Sequence, residues 1–211
     1  METFETLASE GATEILSIHI ANSLSAMANS ARLAAEQWDK LPVTVFDSGN
    51  LTLGTGLQVV AAAEAAAGGR SMAEIEALLK DQASRTYCFA ALDRVEFLRR
   101  SGRLTRFQWA LASVLQIKPL LKMNHGDYDM ERVRTRKAAL ARVVELLAGL
   151  GPLEELALVH THAPEEAKAL ARQAGHLIPG GKASLSAEVT PVIGTHIGPG
   201  AVGFIAVQAR S

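Results

Sequence analysis

Short apolar runs alternate with helical patterns over the first 85 residues of the chain. Glu14–Ile20 and Val43–Phe46 are brief, apolar and rich in β-branched residues, which favours buried strands. Helical patterns surround these two runs at Phe4–Glu10, Ser25–Trp38, Leu57–Ala67 and from the capping-box residues Ser71 to Glu74 onward. The third of these helices has almost no polar face, so we expect burial on most of its sides. Strands alternating with helices of this length predict a parallel sheet with crossover helices.

The pattern becomes mixed after Arg85. We predict strands at Thr86–Ala91, Lys118–Met123, Leu156–His160 and Val202–Val207. We predict helices at Arg94–Arg100, Arg106–Leu115, Val133–Leu147 and Pro164–Ala174. Asn124–Asp127 is a hairpin turn signal, so hairpin and crossover connections occur together. The sequence therefore predicts an α/β fold in two domains, a parallel-sheet domain over 1–85 and an α+β mixed-sheet domain over 86–211. No low-complexity linker separates them, so we expect a close contact with a cleft between them.

Composition narrows the class of protein. The 211 residues are 48% hydrophobic and 20% charged, which is typical of a globular chain. Twenty-one basic and 22 acidic residues nearly cancel, so we expect neither nucleic-acid binding nor a stable membrane association. The single cysteine, Cys88, excludes an internal disulfide and a Cys-rich zinc site, and it favours a cytoplasmic location. Residues 1–11 do not resemble a signal peptide, and no apolar run reaches transmembrane length.

Two segments carry polar groups that suit an anion. Ser23-Leu24-Ser25 directly follows the first predicted strand, and Ser25 is placed to cap the next helix. The same helix terminus attracts a carboxylate or phosphate through its free N–H groups, although a plain helix cap is the other interpretation. Ile193–Gly200 surrounds His196 with glycines and a proline, which predicts a tight loop. The imidazole there either donates a hydrogen bond to an anion or faces water.

Other patterns are weaker signals of chemistry. Gly54–Gly56 lacks the third glycine and the Lys-Ser/Thr of nucleotide loops, so tight packing explains it better. His160 and His162 share one face at a strand end, but no third metal ligand is evident. Basic residues cluster at Arg99–Arg103 and Arg132–Lys137, and most of them are expected to form solvated faces. No Ser-His-Asp order, paired catalytic acids or Cys-His pair stands out, so hydrolase chemistry has no support. We expect no metal, no cofactor and no catalysis by the chain itself.

Six segments along the chain are distinctive in combination: Ser17–Ser25, Phe46–Ser48, Phe97–Arg103, Ile117–Pro119, the Arg-Thr-Arg-Lys run from Arg134, and Gly194–Gly200. Taken in this order, they resemble those of the DegV family. Their order and spacing cover nearly the whole chain. The Leu-Arg-Arg-x-Gly-Arg element and the His-x-Gly-Pro-Gly element are specific in combination, whereas either alone is a weak signal.

The resemblance implies two α/β domains with a long-chain fatty acid in a tunnel between them. In the bacterial fatty-acid kinase system, the binding protein presents the acyl carboxylate to a separate kinase, which forms acyl-phosphate for phospholipid synthesis. Ser25 and His196 match the residues that hydrogen-bond the carboxylate, and Ser23, Gly198 and Gly200 would support them.

The resemblance also leaves open which basic residues would meet the kinase, and Arg134 or Arg136 is expected to do so. The chain departs from the family pattern after the matched serine, where Ala26-Met27 replaces the usual Gly-Thr. The family's first strand and a Thr-Ser motif precede the segment that matches Phe4, so we expect an N-terminally incomplete first domain.

Two alternatives to a fatty-acid carrier remain at this point. An enzyme acting on a small anionic or phosphate-ester substrate would use His196 as its acid or base. A truncated interaction module without a ligand would fold with no cleft between its domains.

Overall fold

The structure is a computed structural model that describes residues 1–102, 117–181, 183 and 185–210. Its strands are β1 (Ile15–His19), β2 (Val43–Asp47), β3 (Thr86–Ala91), β4 (Lys118–Asn124), β5 (Asp127–Val133), β6 (Leu153–His160), β7 (Leu185–Glu188) and β8 (Val202–Gln208). Its α-helices are α1 (Glu2–Ser9), α2 (Met27–Glu36), α3 (Leu53–Ala67), α4 (Met72–Arg85), α5 (Val95–Arg100), α6 (Arg136–Ala148), α7 (Pro164–Gln173) and α8 (Pro191–Ile197). Two short 3₁₀ helices lie at Gly175–Leu177 and Pro179–Gly181.

Residues 1–85, called the first lobe below, contain a sheet of two parallel strands. β1 pairs with β2 in a register that joins Ile15 to Val43 and His19 to Asp47. Helix α4 begins with the predicted capping box, in which Ser71 Oγ accepts from the backbone N–H of Glu74 and the Glu74 carboxylate accepts from that of Ser71. A small apolar cluster joins this sheet to α3 and α4, and it comprises Phe46, Ala62, Ala65, Ile75 and Leu79.

The second lobe, residues 86–210, contains a six-stranded mixed sheet in the order β5-β4-β3-β8-β6-β7. Only the β6–β7 pair is parallel, and the other pairs are antiparallel. The β4–β5 hairpin turns at His125 and Gly126, whose φ angles are 47° and 87°. Two consecutive positive φ angles are the signature of the tight turn predicted from Asn124–Asp127. The sequence prediction of one parallel and one mixed sheet is confirmed.

Both faces of the six-stranded sheet are covered by apolar residues. Because side chains alternate along a strand, β3 sends Cys88 and Ala90 to one face and Phe89 and Ala91 to the other. The outer face, which carries Phe89 and Phe204, packs against α6 and α7 of the same lobe. The inner face carries Cys88, Ala90, Val159 and Ile205, and its cover includes Ala21, Leu51 and Leu57 of the first lobe.

The two lobes are joined by hydrogen bonds at the tip of the β4–β5 hairpin. The Gly126 N–H donates to the Gly49 carbonyl at 2.7 Å, and Ser23 Oγ donates to the Gly126 carbonyl at 2.6 Å. Asn50 Nδ2 also donates a hydrogen bond to the carbonyl of Thr86, at the start of β3, at 3.1 Å. A Cβ on Gly49 would lie 3.1 Å from the Gly126 nitrogen, so this close approach of backbones requires glycine.

Three expectations about the elements are wrong or incomplete. We expected α3 to be buried on most sides, but it is buried on one side only, and Val59 and Val60 are 46% and 48% exposed. The two-stranded sheet and α4 are too small to enclose the helix. A strand, not a helix, occupies Val133, because pairing with Lys118 extends β5 to that residue. The following helix begins only at Arg136, and β7 is an additional strand that the pattern did not indicate. The helix expected at Arg106–Leu115 lies outside the described residues.

Candidate functional site

An apolar slot lies between the inner face of the six-stranded sheet and the first lobe. Its inner cavity has a volume of about 30 Å³ and is lined by Leu51, Thr52, Cys88, Ala90, Leu92, Leu121, Val159, His160, Val189, Ile193, Ile197, Ala201, Val202 and Gly203. A neighbouring cavity of about 260 Å³ is lined by Thr52, Leu53, Val159, Ala187, Glu188, Val189, Thr190 and Ile193. Four residues line both cavities: Thr52, Val159, Val189 and Ile193. The two cavities therefore form parts of one slot, and its inner part is the narrower one.

Helix α8 lies over this slot. Its Ile193 and Ile197 pack against the inner-face cluster, whereas Val192 points away and is 72% exposed. The helix begins with Pro191 in its first turn and ends before Gly198, whose φ is 74°. A Cβ on Gly198 would lie 2.3 Å from the ring of Phe97 in α5, so the helix end is seated directly on that ring.

His196 lies in the last turn of α8, so the prediction of a tight loop around it is wrong. Proline at the start and a left-handed glycine after the end are helix boundary signals, and they explain this segment better than a loop does. The imidazole is half-buried, and its Nδ1 atom is inaccessible to solvent. The side chain is thus held by a short helix at the edge of the slot.

Ser25 belongs to the turn that connects β1 to α2. Ala26, not Ser25, is the N-cap residue of α2, so the predicted cap is wrong by one position. The Ser25 hydroxyl oxygen instead accepts a hydrogen bond from the Met27 N–H at 3.3 Å. Because this bond uses a lone pair, the hydroxyl hydrogen remains able to donate to an anion. Ser25 is half-buried, next to the first turn of a ten-residue helix.

Ser25 and His196 come from different lobes. Their neighbours Leu24 and Ile197 both pack against the same inner-face cluster, which brings the two segments to a common apolar centre. Ser25 and His196 are thus each next in sequence to a residue that packs on this cluster, although neither is among the residues that line the two cavities.

The three expected supporting residues have structural roles. Ser23 is bonded to the hairpin tip, as described above, and so holds the β1–α2 turn against the second lobe. The carbonyl of Gly198 accepts from Thr161 Oγ1 at 2.7 Å, and the N–H of Gly200 donates to the Thr161 carbonyl at 2.7 Å. Thr161 is buried and was not identified from the sequence. Together these bonds fix the segment that follows His196.

Arg134 and Arg136 differ in their surroundings. Arg136 donates to the carbonyls of Gly200 and Ala91, at 2.5 Å and 3.1 Å, and pairs with the Glu166 carboxylate. The Arg136 guanidinium therefore fixes the segment that follows α8 through its hydrogen bond to Gly200. Arg134 is exposed at the surface.

Asp93 lies beneath the same segment. A Cβ on Gly200, whose φ is 84°, would lie 3.1 Å from the Asp93 Cβ. Lys118 Nζ donates to an Asp93 carboxylate oxygen at 2.6 Å and to its backbone carbonyl at 3.0 Å. The hydrogen bond and charge of Lys118, with the nearby charge of Arg136, hold the pKa of Asp93 below its usual value.

The two histidines of the His-x-His pair lie in different surroundings. His160 ends β6 and lines the inner cavity, whereas His162 has a φ of 47° and its side chain is 89% exposed. The left-handed backbone at His162 breaks the strand alternation that would have placed both rings on one face. Within residues 1–102, 117–181, 183 and 185–210, no group of three His, Cys, Asp or Glu side chains is arranged to hold a metal ion.

Cys88 lies in the wall of the slot and is completely buried. Burial away from water raises the pKa of its thiol to about 12, so the side chain behaves as a small apolar group at neutral pH. Among the described helices, none is both long and apolar enough to cross a membrane.

The fold and the slot define a two-lobed α/β protein with a candidate ligand site between its lobes. Residues 1–209 match the family model described as "Uncharacterised protein, DegV family". A DegV domain-containing protein of Streptomyces coelicolor is 35% identical over 208 residues, which cover 97% of this chain and 73% of that relative. The chain belongs to the DegV family.

Solved structures agree with this assignment. The fatty acid binding DegV family protein of Streptococcus agalactiae has a TM-score of 0.88 at 26% identity, over 99% of this chain and 75% of that one. A DegV family protein of Thermus thermophilus, described by its fatty acid binding, has a TM-score of 0.87 at 28% identity, over 98% and 75% of the two chains. Both of these solved structures are described by their fatty acid binding.

Proposed function

We propose that this chain binds a long-chain fatty acid in the slot between its lobes, with the carboxylate held by Ser25 and His196. The observation that carries the proposal is the apolar lining of the slot, which offers few polar groups along its length. The fatty acid binding of the Streptococcus agalactiae and Thermus thermophilus relatives supports the same ligand class.

The chemistry of the two candidate residues suits a carboxylate. Ser25 retains a hydroxyl hydrogen for donation, and the N-terminus of α2 beside it favours negative charge. His196 contributes an imidazole N–H from the other lobe. Hydrogen bonds to a charged group contribute about 1.5–3 kcal/mol each, which offsets part of the lost hydration of a buried carboxylate.

The hydrocarbon chain would supply most of the affinity. Each CH₂ group removed from water contributes about 0.8 kcal/mol, so a chain of roughly sixteen carbons gains on the order of 10 kcal/mol before entropy is subtracted. The inner cavity of about 30 Å³ is too small for such a chain, so binding requires α8 to shift outward. α8 contains no fully buried residue and spans only Pro191–Ile197, which makes it the cover that moves most easily.

We further propose that the protein does not turn the fatty acid over itself but presents it to a separate kinase that forms acyl-phosphate. Among the expected docking residues, Arg134 is exposed and suited to an acidic partner surface, whereas Arg136 already braces Gly200. With a bacterial fatty-acid kinase, ATP and bound palmitate, Arg134→Ala should lower the rate of acyl-phosphate formation without changing palmitate affinity. Arg172→Ala on α7, also exposed, serves as the control.

Binding is tested by titrating the delipidated protein with palmitate and with methyl palmitate, which lacks the anionic head. The protein should prefer the acid. Ser25→Ala and His196→Ala should each weaken palmitate binding about tenfold or more, because each removes a hydrogen bond to a charged group. Ser30→Ala, in the same helix region, and His176→Ala, both at exposed sites, should change nothing. Failure to bind palmitate, or equal binding of acid and ester, would overturn the proposal.

A further inference from the structure

Thr52, at the start of α3, has a strained backbone. Its φ and ψ are 49° and −129°, a region that β-branched residues rarely adopt. A threonine at a helix N-cap normally accepts a hydrogen bond from the first turn, but the Thr52 side chain makes no such bond. Neither backbone preference nor helix capping explains why threonine occupies this position.

The Thr52 hydroxyl is buried without a partner. Its Oγ1 atom is inaccessible to solvent and forms no hydrogen bond within the part of the chain that the structure describes. Buried hydroxyl groups nearly always have a partner, so this one requires an explanation. Thr52 lines both cavities of the slot, so a ligand that fills the slot must contact it.

Besides Thr52 and the thiol of Cys88, His160 is the one polar side chain among the described residues that line the inner cavity. Its Nδ1 accepts a hydrogen bond from the Ala163 N–H at 3.4 Å. When Nδ1 of a neutral imidazole accepts, the ring hydrogen is on Nε2, so His160 offers a donor. The inner cavity therefore combines a hydroxyl and an N–H donor with an otherwise aliphatic wall.

We propose that Thr52, together with His160, forms a polar subsite for an oxygen atom along the acyl chain, so that the preferred ligand is a hydroxylated long-chain fatty acid. This inference rests on the proposed fatty-acid function and narrows its ligand class. A plain hydrocarbon chain packed against Thr52 leaves the hydroxyl without a partner, whereas a chain hydroxyl pairs with it. The subsite is distinct from Ser25 and His196, which take the carboxylate.

The test compares stearate with its 2-, 10- and 12-hydroxy derivatives in competition titrations on the full chain. At least one mid-chain isomer should bind about three to ten times more tightly than stearate, which is the effect of one neutral hydrogen bond. The 2-hydroxy isomer, whose hydroxyl lies beside the carboxylate, should show no such preference.

Thr52→Val keeps the β-branched shape and removes the hydroxyl, so it should abolish the preference while stearate still binds. Thr52→Ser keeps the hydroxyl and should retain the preference. Equal binding of stearate and every hydroxy isomer, or a preference that survives in Thr52→Val, would overturn the polar subsite alone. If no acid binds at all, the subsite and the proposed function fail together.

Discussion

The two faces of the six-stranded sheet have the same kind of residues but different covers. On the outer face, Phe89, Leu158 and Phe204 pack against two long helices of the same lobe, α6 and α7. On the inner face, Cys88, Val159 and Ile205 are covered by the other lobe and by the seven-residue α8, and the slot lies there. The comparison indicates that the outer face is tightly covered and supplies stability, whereas the inner face leaves a slot, which under the proposed function a ligand would enter once α8 shifts outward.

The first prediction separates stability from binding. Phe204 is fully buried on the outer face, so Phe204→Ala should lower the free energy of unfolding by about 3–5 kcal/mol. Urea denaturation measures this loss. The folded fraction should still bind palmitate with unchanged affinity. A large loss of affinity with unchanged stability would contradict the division between the two faces.

The second prediction concerns the contact between the C-terminal end of α8 and the Phe97 ring. Gly198→Ala combines a left-handed φ of 74° with a Cβ 2.3 Å from the Phe97 ring, so it should destabilise the protein by about 1–3 kcal/mol and displace His196. Palmitate affinity should fall about tenfold or more, at the upper end of the loss of one charged hydrogen bond. Gly194→Ala is the matched control in the same helix, because nothing lies within 4 Å of its added Cβ. Equal effects of the two substitutions would show that the contact with Phe97 is unimportant.

The third prediction addresses the apolar lining. Ile193 lines both cavities, and Ile193→Ala should weaken palmitate binding about threefold to tenfold, with a loss of stability of roughly 1 kcal/mol because the residue is only half-buried. Val192→Ala removes apolar atoms from the exposed side of the same helix and should change neither quantity. Calorimetric titration and thermal denaturation distinguish these outcomes. Tighter palmitate binding by Ile193→Ala would instead show that this side chain blocks the slot.

The smallest expected effect is on the pH dependence of stability. Lys118 holds the pKa of Asp93 in the folded protein below its usual value. The ion pair therefore stabilises the fold at pH values above the pKa of Asp93 in the unfolded chain, which is about 4. This stabilisation is lost as the pH falls through the lower pKa of Asp93 in the folded protein. Asp93→Asn should lower stability by about 0.5–1 kcal/mol at pH 7, a small effect because water screens the pair. The difference from the unmodified protein should shrink in strongly acidic solution. A difference that is constant from pH 7 to pH 2 would rule out the ion pair as its cause.

Local signals in the sequence predicted much of the fold. β1 and β3 appear as compact apolar runs, and Asn124–Asp127 predicts its turn, because these features depend on neighbouring residues. β5 was not predicted, and its last residue, Val133, was assigned to the following helix, since Asp127–Val133 is largely polar and becomes a strand only by pairing with β4. The environment of His196 was misread for a related reason, because the glycines around it also serve as helix boundaries.

The site was only partly accessible to sequence reasoning. Local patterns singled out Ser25 and His196 as candidates for an anion, the family resemblance assigned both to a fatty-acid carboxylate, and their joint role remains a proposal. Thr52 was not singled out, and His160 was considered only as a metal ligand, because the burial of a hydroxyl and the lining of a cavity depend on residues distant in the sequence. Arg136 illustrates the same limit: its sequence position predicts a basic surface, but its contacts with Gly200 and Glu166 arise from the fold.

The most direct test is a crystal structure of the protein grown with palmitate. The account predicts elongated density that starts with a carboxylate within hydrogen-bonding distance of Ser25 and His196. This density should continue past Cys88 and Val159, with α8 displaced outward from its present position. A slot still filled by Ile193 and Ile197, or palmitate bound elsewhere on the surface, would contradict it.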